Sequence, residues 1–130
     1  MHRAALLPLL ALAACGAPAA PPPPTTGQRA RAAIDGAMTA YATCVYGAAK
    51  RLASAATPAG DTVDAAVAAC AAGRAALVAK VRGFQLLNAP ATKAGYADAV
   101  AEQSVAAMAN DLRAEATTIA VSRQTELGAK

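Results

Sequence analysis

Apolar residues recur at helical spacing in three stretches of the chain, at residues 28–56, 61–87 and 96–126. In the first stretch they follow one another at intervals of three or four residues, which places them on one face of a helix. They are Ile34, Met38, Tyr41, Val45, Ala48, Leu52 and Ala55. The second and third stretches repeat the pattern with Val63, Val67, Cys70, Leu77, Val81 and Phe84, and with Val100, Val105, Met108, Leu112, Ala116 and Ile119. The pattern predicts three amphipathic helices.

Two short segments separate these helices, at residues 57–60 (TPAG) and 88–95 (NAPATKAG). Both contain Pro and Gly, which end helices, and Asp61 or Thr62 can cap the helix that follows the first segment. No stretch alternates apolar and polar residues as a strand would. Long helices of similar length joined by short turns predict an all-α fold, specifically an up-down-up three-helix bundle.

The chain begins with an apolar run that is too short to cross a membrane. His2 and Arg3 precede eleven apolar residues at 4–14, whereas a membrane-spanning helix needs roughly 20. A basic start, a short apolar run and small residues at its end are typical of a secretory signal peptide. We therefore assign residues 1–14 to a signal peptide.

The end of that run, Leu12-Ala13-Ala14-Cys15, resembles the lipobox of bacterial lipoproteins, in which a branched apolar residue and two small residues precede a Cys. The resemblance covers residues 1–16. It implies that Cys15 carries a diacylglycerol, that the chain is cleaved before it and that the new amine is acylated, which makes a stable membrane anchor. Gly16, a residue other than Asp at that position, implies sorting to the outer membrane. The alternative is an ordinary secretory signal in which Cys15 is incidental.

A tether and a helical domain follow the signal peptide. The tether, residues 15–27, contains four consecutive prolines at 21–24 that favour polyproline II. At about 3.1 Å per residue, residues 17–27 reach roughly 30 Å, enough to lift a domain clear of lipid headgroups. Residues 28–130 form the Ala-rich helical domain.

Alanine accounts for most of the apolar composition. The chain has 42 alanines among 130 residues, whereas Val, Ile, Leu, Met, Phe and Tyr together number 22 from Gln28 onward. A core of such small side chains buries little area, and small cores usually need a cross-link.

Cys44 and Cys70 can supply that cross-link. They lie symmetrically about residue 57, so an antiparallel hairpin that turns there brings them to the same height. The signal peptide implies an oxidising compartment. We predict a disulfide that joins helices 1 and 2 and contributes roughly 3 kcal/mol. The alternatives are a redox pair, which usually has the spacing Cys-x-x-Cys, and two free thiols.

The mature part lacks the residues of common active sites. His2, the single histidine, lies in the signal peptide, and no Gly-rich phosphate loop or nucleophile elbow occurs. We expect no enzyme, no metal and no cofactor apart from the lipid on Cys15. The third helix carries several acids, for which a solvated face is a simpler explanation than acid catalysis. They are Asp98, Glu102, Asp111, Glu115 and Glu126.

Charge is unevenly distributed in the domain. Residues 28–83 carry a net charge of +4 and residues 84–130 a net charge of −1. Packing of the acidic third helix beside the basic hairpin accounts for this difference. The alternative is a basic face for an anionic envelope partner, such as lipid headgroups or a cell-wall polymer. We expect no nucleic acid as a partner in this compartment.

The final residue, Lys130, is similar to the terminal Lys of Braun-type lipoproteins, short helical lipoproteins joined to peptidoglycan through that residue. The resemblance implies attachment to peptidoglycan at Lys130, although the tether, the internal cysteines and the absence of a long heptad repeat depart from that family. We expect a lipid-anchored envelope protein with a structural or protein-interaction role, and an envelope protein or peptidoglycan as its partner. The alternative is a small inhibitor or binding module for a cell-wall enzyme or an anionic polymer. The sequence leaves the oligomeric state open.

Overall fold

The computed structural model describes residues 22–129, and within this range the protein consists of helices and connecting turns. The four helices are α1 (Thr26–Leu52), α2 (Ala59–Ala69), α3 (Ala71–Asn88) and α4 (Ala94–Gly128). The predicted all-α class is confirmed.

The predicted number of helices is wrong, because the second stretch forms two helices rather than one. The break is at Cys70, where α2 and α3 meet at a bend of 63°. Cys70 leaves helical geometry with φ −104° and ψ 19°, and its backbone N–H is shared between the carbonyls of Ala68 and Val67. Neither Pro nor Gly stands at this position, so the break has no local breaker residue and coincides instead with the residue that is cross-linked to α1.

A capping box sets the start of α1 at Thr26, two residues before the predicted start. The side chain of Thr25 accepts a hydrogen bond from the backbone N–H of Gln28 at 3.2 Å. In return the side-chain oxygen of Gln28 accepts from the backbone N–H of Thr25 at 2.7 Å. Two backbone donors that the first turn leaves free are satisfied in this way.

The turn between α1 and α2 covers residues 53–58, whereas the sequence predicted residues 57–60. α1 stops at Leu52, and Ser54 then accepts a hydrogen bond from the backbone N–H of Thr57 at 3.2 Å. Pro58 is the N-cap of α2 and no side chain caps this helix. The predicted caps therefore lie inside the first turn, where the buried Thr62 donates its hydroxyl to the carbonyl of Pro58 at 3.2 Å.

Contacts between helices show the direction of each one. Arg82 of α3 pairs with Asp98 near the start of α4, whereas Asp64 of α2 pairs with Arg113 further along α4. The pair α2–α3 therefore runs antiparallel to α4. α2 and α3 each contact both α1 and α4.

The α1 helix is also antiparallel to α2–α3. The guanidinium carbon of Arg31 lies 5.6 Å from the ring centroid of Phe84, near the end of α3. Cys44 is bonded to Cys70 further along α1. The start of α1, the end of α3 and the start of α4 thus lie together at what we call the Pro22 end. The end of α1, the start of α2 and the end of α4 form the opposite Gly128 end.

One hydrophobic core joins all four helices. Its largest fully buried side chains are Tyr41, Leu77 and Leu112. Alanine supplies six of its fourteen buried members. These fourteen are Tyr41, Val45, Ala48, Ala49, Val63, Ala66, Cys70, Leu77, Val81, Ala101, Val105, Leu112, Ala116 and Ala120.

The buried face of α4 contains Val105, Leu112 and Ala116, as predicted, together with alanines that the pattern missed. Ala101 and Ala120 are fully buried, whereas Val100 and Ile119, their larger neighbours in sequence, are partly exposed. The hydrophobic pattern favoured the larger residues, but only a methyl group fits where α4 approaches the other helices. Leu52 of the predicted α1 stripe is also 46% exposed, because the helix ends there.

Candidate functional site

The predicted disulfide is present. Cys44 and Cys70 are bonded, with their Cα atoms 6.0 Å apart, and the bond connects α1 to the junction of α2 and α3. Cys70 is buried and Cys44 is exposed on α1. The predicted lipid site Cys15 and the predicted attachment site Lys130 both lie outside the described residues.

The acidic residues of α4 meet basic residues of the other helices. Glu102 accepts a hydrogen bond from Arg74 at 2.6 Å, and Asp98 pairs with Arg82. Both pairs connect α3 to α4 and support the interpretation that the acidic helix compensates the basic hairpin. Their side chains are one third to one half exposed, and exposed pairs contribute at most about 1 kcal/mol each.

Glu115 has a different partner, the phenol of Tyr46 in α1. The Tyr46 hydroxyl donates a short hydrogen bond to Glu115 Oε2. That hydrogen bond, followed by burial and by the carboxylate charge, raises the pKa of Tyr46 from 10.0 to about 12. The phenol stays protonated at neutral pH, so the pair serves as an α1–α4 contact.

An open groove of about 210 Å³ lies at the Gly128 end, between the last turns of α1 and the second half of α4. Its residues on α4 recur at helical spacing and so share one face of that helix. The lining consists of Lys50, Thr118, Ile119, Ser122, Arg123 and Glu126.

The groove offers two cations, two hydroxyls and one carboxylate around an apolar side chain. Arg123 donates to Glu126 at 2.8 Å. Lys50 lies in the last turn of α1, where the helix dipole favours a positive charge. The groove therefore places Lys50 and the Arg123–Glu126 pair around the apolar side chain of Ile119.

Residues 22–129, the part of the chain that the structure describes, contain neither a candidate metal site nor a single candidate membrane-spanning helix. In that range no three His, Cys, Asp or Glu side chains are grouped so that they could hold a metal ion. No single helix there is both long and apolar enough to cross a membrane, and the bent pair α2–α3 meets those criteria of length and composition only as a pair.

Tyr41 is buried on the apolar face of α1, as predicted, but the sequence did not predict that its hydroxyl would lack a hydrogen-bond partner within residues 22–129. Tyr41 is 1% exposed, and its hydroxyl makes no hydrogen bond with any described residue. A buried polar group without a partner costs about 1–3 kcal/mol. Its ring nevertheless fills the space between α1 and α3 beside Gly73, so packing by the ring offsets the unpaired oxygen.

Comparison of the chain with family models, with curated proteins and with solved structures finds no match.

The sequence predicted the paired cysteines but missed the groove and the contact between Tyr46 and Glu115. The sequence does contain a pattern that corresponds to the groove, because Thr118, Ser122 and Glu126 recur every four residues along α4. That polar stripe resembles any solvated helix face. Only the position of α1 beside it turns the stripe into one wall of a groove.

Proposed function

We propose that this protein is a lipoprotein held by a lipid on Cys15 in a bacterial outer membrane, facing the periplasm. Its helical domain has a structural or protein-interaction role and performs no catalysis. The observation that carries the proposal is the Cys44–Cys70 disulfide. Such bonds persist in oxidising compartments, and a lipobox directs a protein to one.

The arrangement of the helices fits a domain that serves as a rigid body. We propose that α2 and α3 together form the middle arm of an up-down-up bundle, with the disulfide at the point where that arm bends. No cofactor other than the covalent lipid enters this proposal.

Labelling of the lipid tests the anchor. Cells that express the protein are fed an alkyne fatty acid, and their inner and outer membranes are separated. The protein is then purified from each fraction and its alkyne is tagged. We expect label and outer-membrane fractionation for the parent and neither for Cys15→Ser, because that variant lacks the thiol that forms the thioether. Cys44→Ser serves as the matched control and should label like the parent. Equal labelling of the Cys15→Ser variant and the parent would overturn the proposal.

The exposed features of the domain favour interaction over a passive spacer. Four large apolar side chains are 45–67% exposed, namely Leu52, Leu87, Tyr96 and Val121. The groove at the Gly128 end adds a concave surface with two cations. A spacer needs neither, so a partner in the envelope is the better explanation.

The groove supports a second candidate function, a binding module for an acidic group of a cell-wall enzyme or polymer. A photo-crosslinking amino acid at Ser122 would sit in the groove, and one at the exposed Ala106 of α4 is the control. We expect a discrete adduct in intact envelopes from Ser122 alone, and its loss with Lys50→Glu. Adducts of equal yield from both positions would contradict a role for the groove.

Attachment at Lys130 is a separate proposal with its own test. Sacculi are digested with muramidase and the released protein is analysed by mass spectrometry. A muropeptide on the peptide that ends in Lys130 would support attachment, and its absence from the digest would rule this out.

A further inference from the structure

We propose that the Pro22 end of the domain is a membrane-contacting tip that binds the surface of an anionic phospholipid bilayer. The tip consists of the first turns of α1, with Arg29 and Arg31, and of the connection between α3 and α4, residues 86–96. The inference rests on the proposed lipid anchor and identifies the surface that the anchored domain turns towards the bilayer.

The first observation is where the chain enters the domain. Residues 22–25 lead into α1, and the guanidinium of Arg29 donates to the carbonyl of Pro24 at 2.7 Å, which holds the entering chain against the first turn. Six residues lie between Cys15 and Pro22, so the Cα atoms of these two residues are at most about 25 Å apart. α4, with 35 residues, is about 50 Å long. The lipid on Cys15 therefore lies nearer to the Pro22 end than to the groove.

The second observation is the exposed apolar surface at the same end. Tyr96, in the first turn of α4, is 67% exposed and Leu87, in the last turn of α3, is 45% exposed. The loop between them exposes Pro90 and Ala91. An exposed Leu before this loop and an exposed Tyr after it suit the boundary between headgroups and acyl chains, where amphipathic rings are enriched.

The third observation is charge. Residues 22–35 and 80–98, which make up the Pro22 end, carry five basic and two acidic side chains. Residues 50–64 and 111–129, which make up the Gly128 end, carry four basic and five acidic ones. The exposed Lys93 stands in the loop between Leu87 and Tyr96. A positive, partly apolar end complements the phosphates of an anionic bilayer.

These observations change the role of the tether. Its proline-rich segment is long enough to lift the domain away from the headgroups. Both ends of the domain expose apolar side chains, but only the end nearest to the lipid combines them with a net positive charge. The tip therefore docks on the bilayer, and the groove at the Gly128 end points away from it.

The absence of Trp from the sequence makes a direct test possible. Full-length lipidated Tyr96→Trp is reconstituted in phosphatidylglycerol-containing vesicles with and without brominated lipid, and Val121→Trp at the other end is the matched control. Side chains of an interfacial helix sit about 5–10 Å deep, so we expect roughly two-fold quenching of Trp at position 96. Trp at position 121 should be unaffected.

The substitution Lys93→Glu tests the contribution of positive charge at the tip. The variant should fold, because Lys93 stands at the start of α4 and an acidic residue stabilises a helix N-terminus. Each basic group near an anionic surface changes binding roughly five-fold, so we expect Lys93→Glu to reduce the quenching. Lys50→Glu, at the other end, should leave it unchanged. Quenching of Trp at position 96 should also be weaker in vesicles of phosphatidylcholine alone, because their surface has no net negative charge.

Flotation of the same vesicles separates failure of the anchor from failure of the tip. Protein that floats without quenching at position 96 keeps its anchor but overturns the tip. If Tyr96→Trp purified from cell membranes carries no lipid and fails to float, the anchor is wrong, and Cys15→Ser carrying Tyr96→Trp is then added to the vesicles. Quenching of Trp at position 96 in that variant supports the tip, and a lack of quenching overturns it.

The fluorescence of the same Trp without vesicles is a further check. A blue shift of its emission would indicate contact between two copies and would also overturn the tip.

Discussion

The missing side chain at position 73 allows α3 to lie against Tyr41. A Cβ atom built at Gly73 would be 3.4 Å from Tyr41 Cδ2 and 3.6 Å from its Cα. A methyl group would still be accommodated, but a longer side chain would have to displace the ring. Gly36, in α1, is the opposite case, since nothing lies within 4 Å of its Cβ position.

Substitution of these two glycines by Leu should have opposite effects. We expect Gly36→Leu to raise the free energy of unfolding by about 0.5–1 kcal/mol, because Gly weakens a helix interior. Gly73→Leu should lower it by about 1–3 kcal/mol through overpacking. Denaturant unfolding measures both, and Gly73→Ala should be at least as stable as the parent. A Gly73→Leu variant that gains stability like Gly36→Leu would show that α3 and Tyr41 are not in close contact.

The hydrogen bond between Tyr46 and Glu115 predicts a pH dependence. Because the pKa of Tyr46 is about 12 in the folded protein against 10.0 for a free phenol, the fold favours the protonated form. That contribution to stability is complete below pH 10 and is lost as the pH rises towards 12.

An alkaline titration of tyrosinate absorbance checks this prediction. Tyr46→Phe identifies the contribution of Tyr46 to the titration, and Glu115→Gln should bring the pKa of Tyr46 back towards 10, because the negative partner is gone. Glu102→Gln is the matched control, since Glu102 pairs with Arg74 rather than with a Tyr. If the titration of Glu115→Gln matched that of the parent, the contact would not exist in solution.

At the scale of elements, small side chains on α4 decide how closely the helices approach. Ala97, Ala101, Ala116 and Ala120 are all at most 1% exposed. Periodicity predicted which stretch is helical, because apolar spacing is a local property. It also placed Val105, Leu112 and Ala116 on the buried side, as observed. It missed Ala97, Ala101 and Ala120, because a methyl group contributes little to a hydrophobic pattern although it determines the distance between helices.

A pair of substitutions in α4 tests this close approach. We expect Ala116→Leu, at a fully buried site, to lower the free energy of unfolding by about 1–3 kcal/mol, because the core has no space for the added carbons. Ala114→Leu, at an exposed site two residues away, should change it by less than about 0.5 kcal/mol. Thermal unfolding measures both. Equal effects of the two substitutions would argue against a tightly packed α4 face.

For the molecule as a whole, stability is shared between a thin core and one covalent bond. Domains of this size are stable by about 5–15 kcal/mol. The disulfide closes a loop between residues 26 apart and contributes roughly 3 kcal/mol in the chain-entropy account. The exposed ion pairs add little, so losing both the disulfide and one large core side chain should remove most of the stability.

Leu77→Ala combined with reduction tests this division. Leu77 is fully buried, and its truncation should cost about 2–5 kcal/mol. We expect oxidised Leu77→Ala to unfold cooperatively and the reduced variant to lose its cooperative transition. Leu87→Ala, at an exposed position, is the control and should resemble the parent under both conditions. Helicity measured by circular dichroism reports the result, and a reduced Leu77→Ala variant as stable as the reduced parent would contradict this account.

The sequence by itself determined the all-α class, the approximate ends of the first and last helices and the pairing of Cys44 with Cys70. Each of these depends on local spacing or on a symmetric position about one turn. Tertiary structure decided the break at Cys70, the alanine face of α4 and the groove beside Lys50. These features arise where two or more helices meet, and the free energy that favours them comes from contacts between residues far apart in the chain.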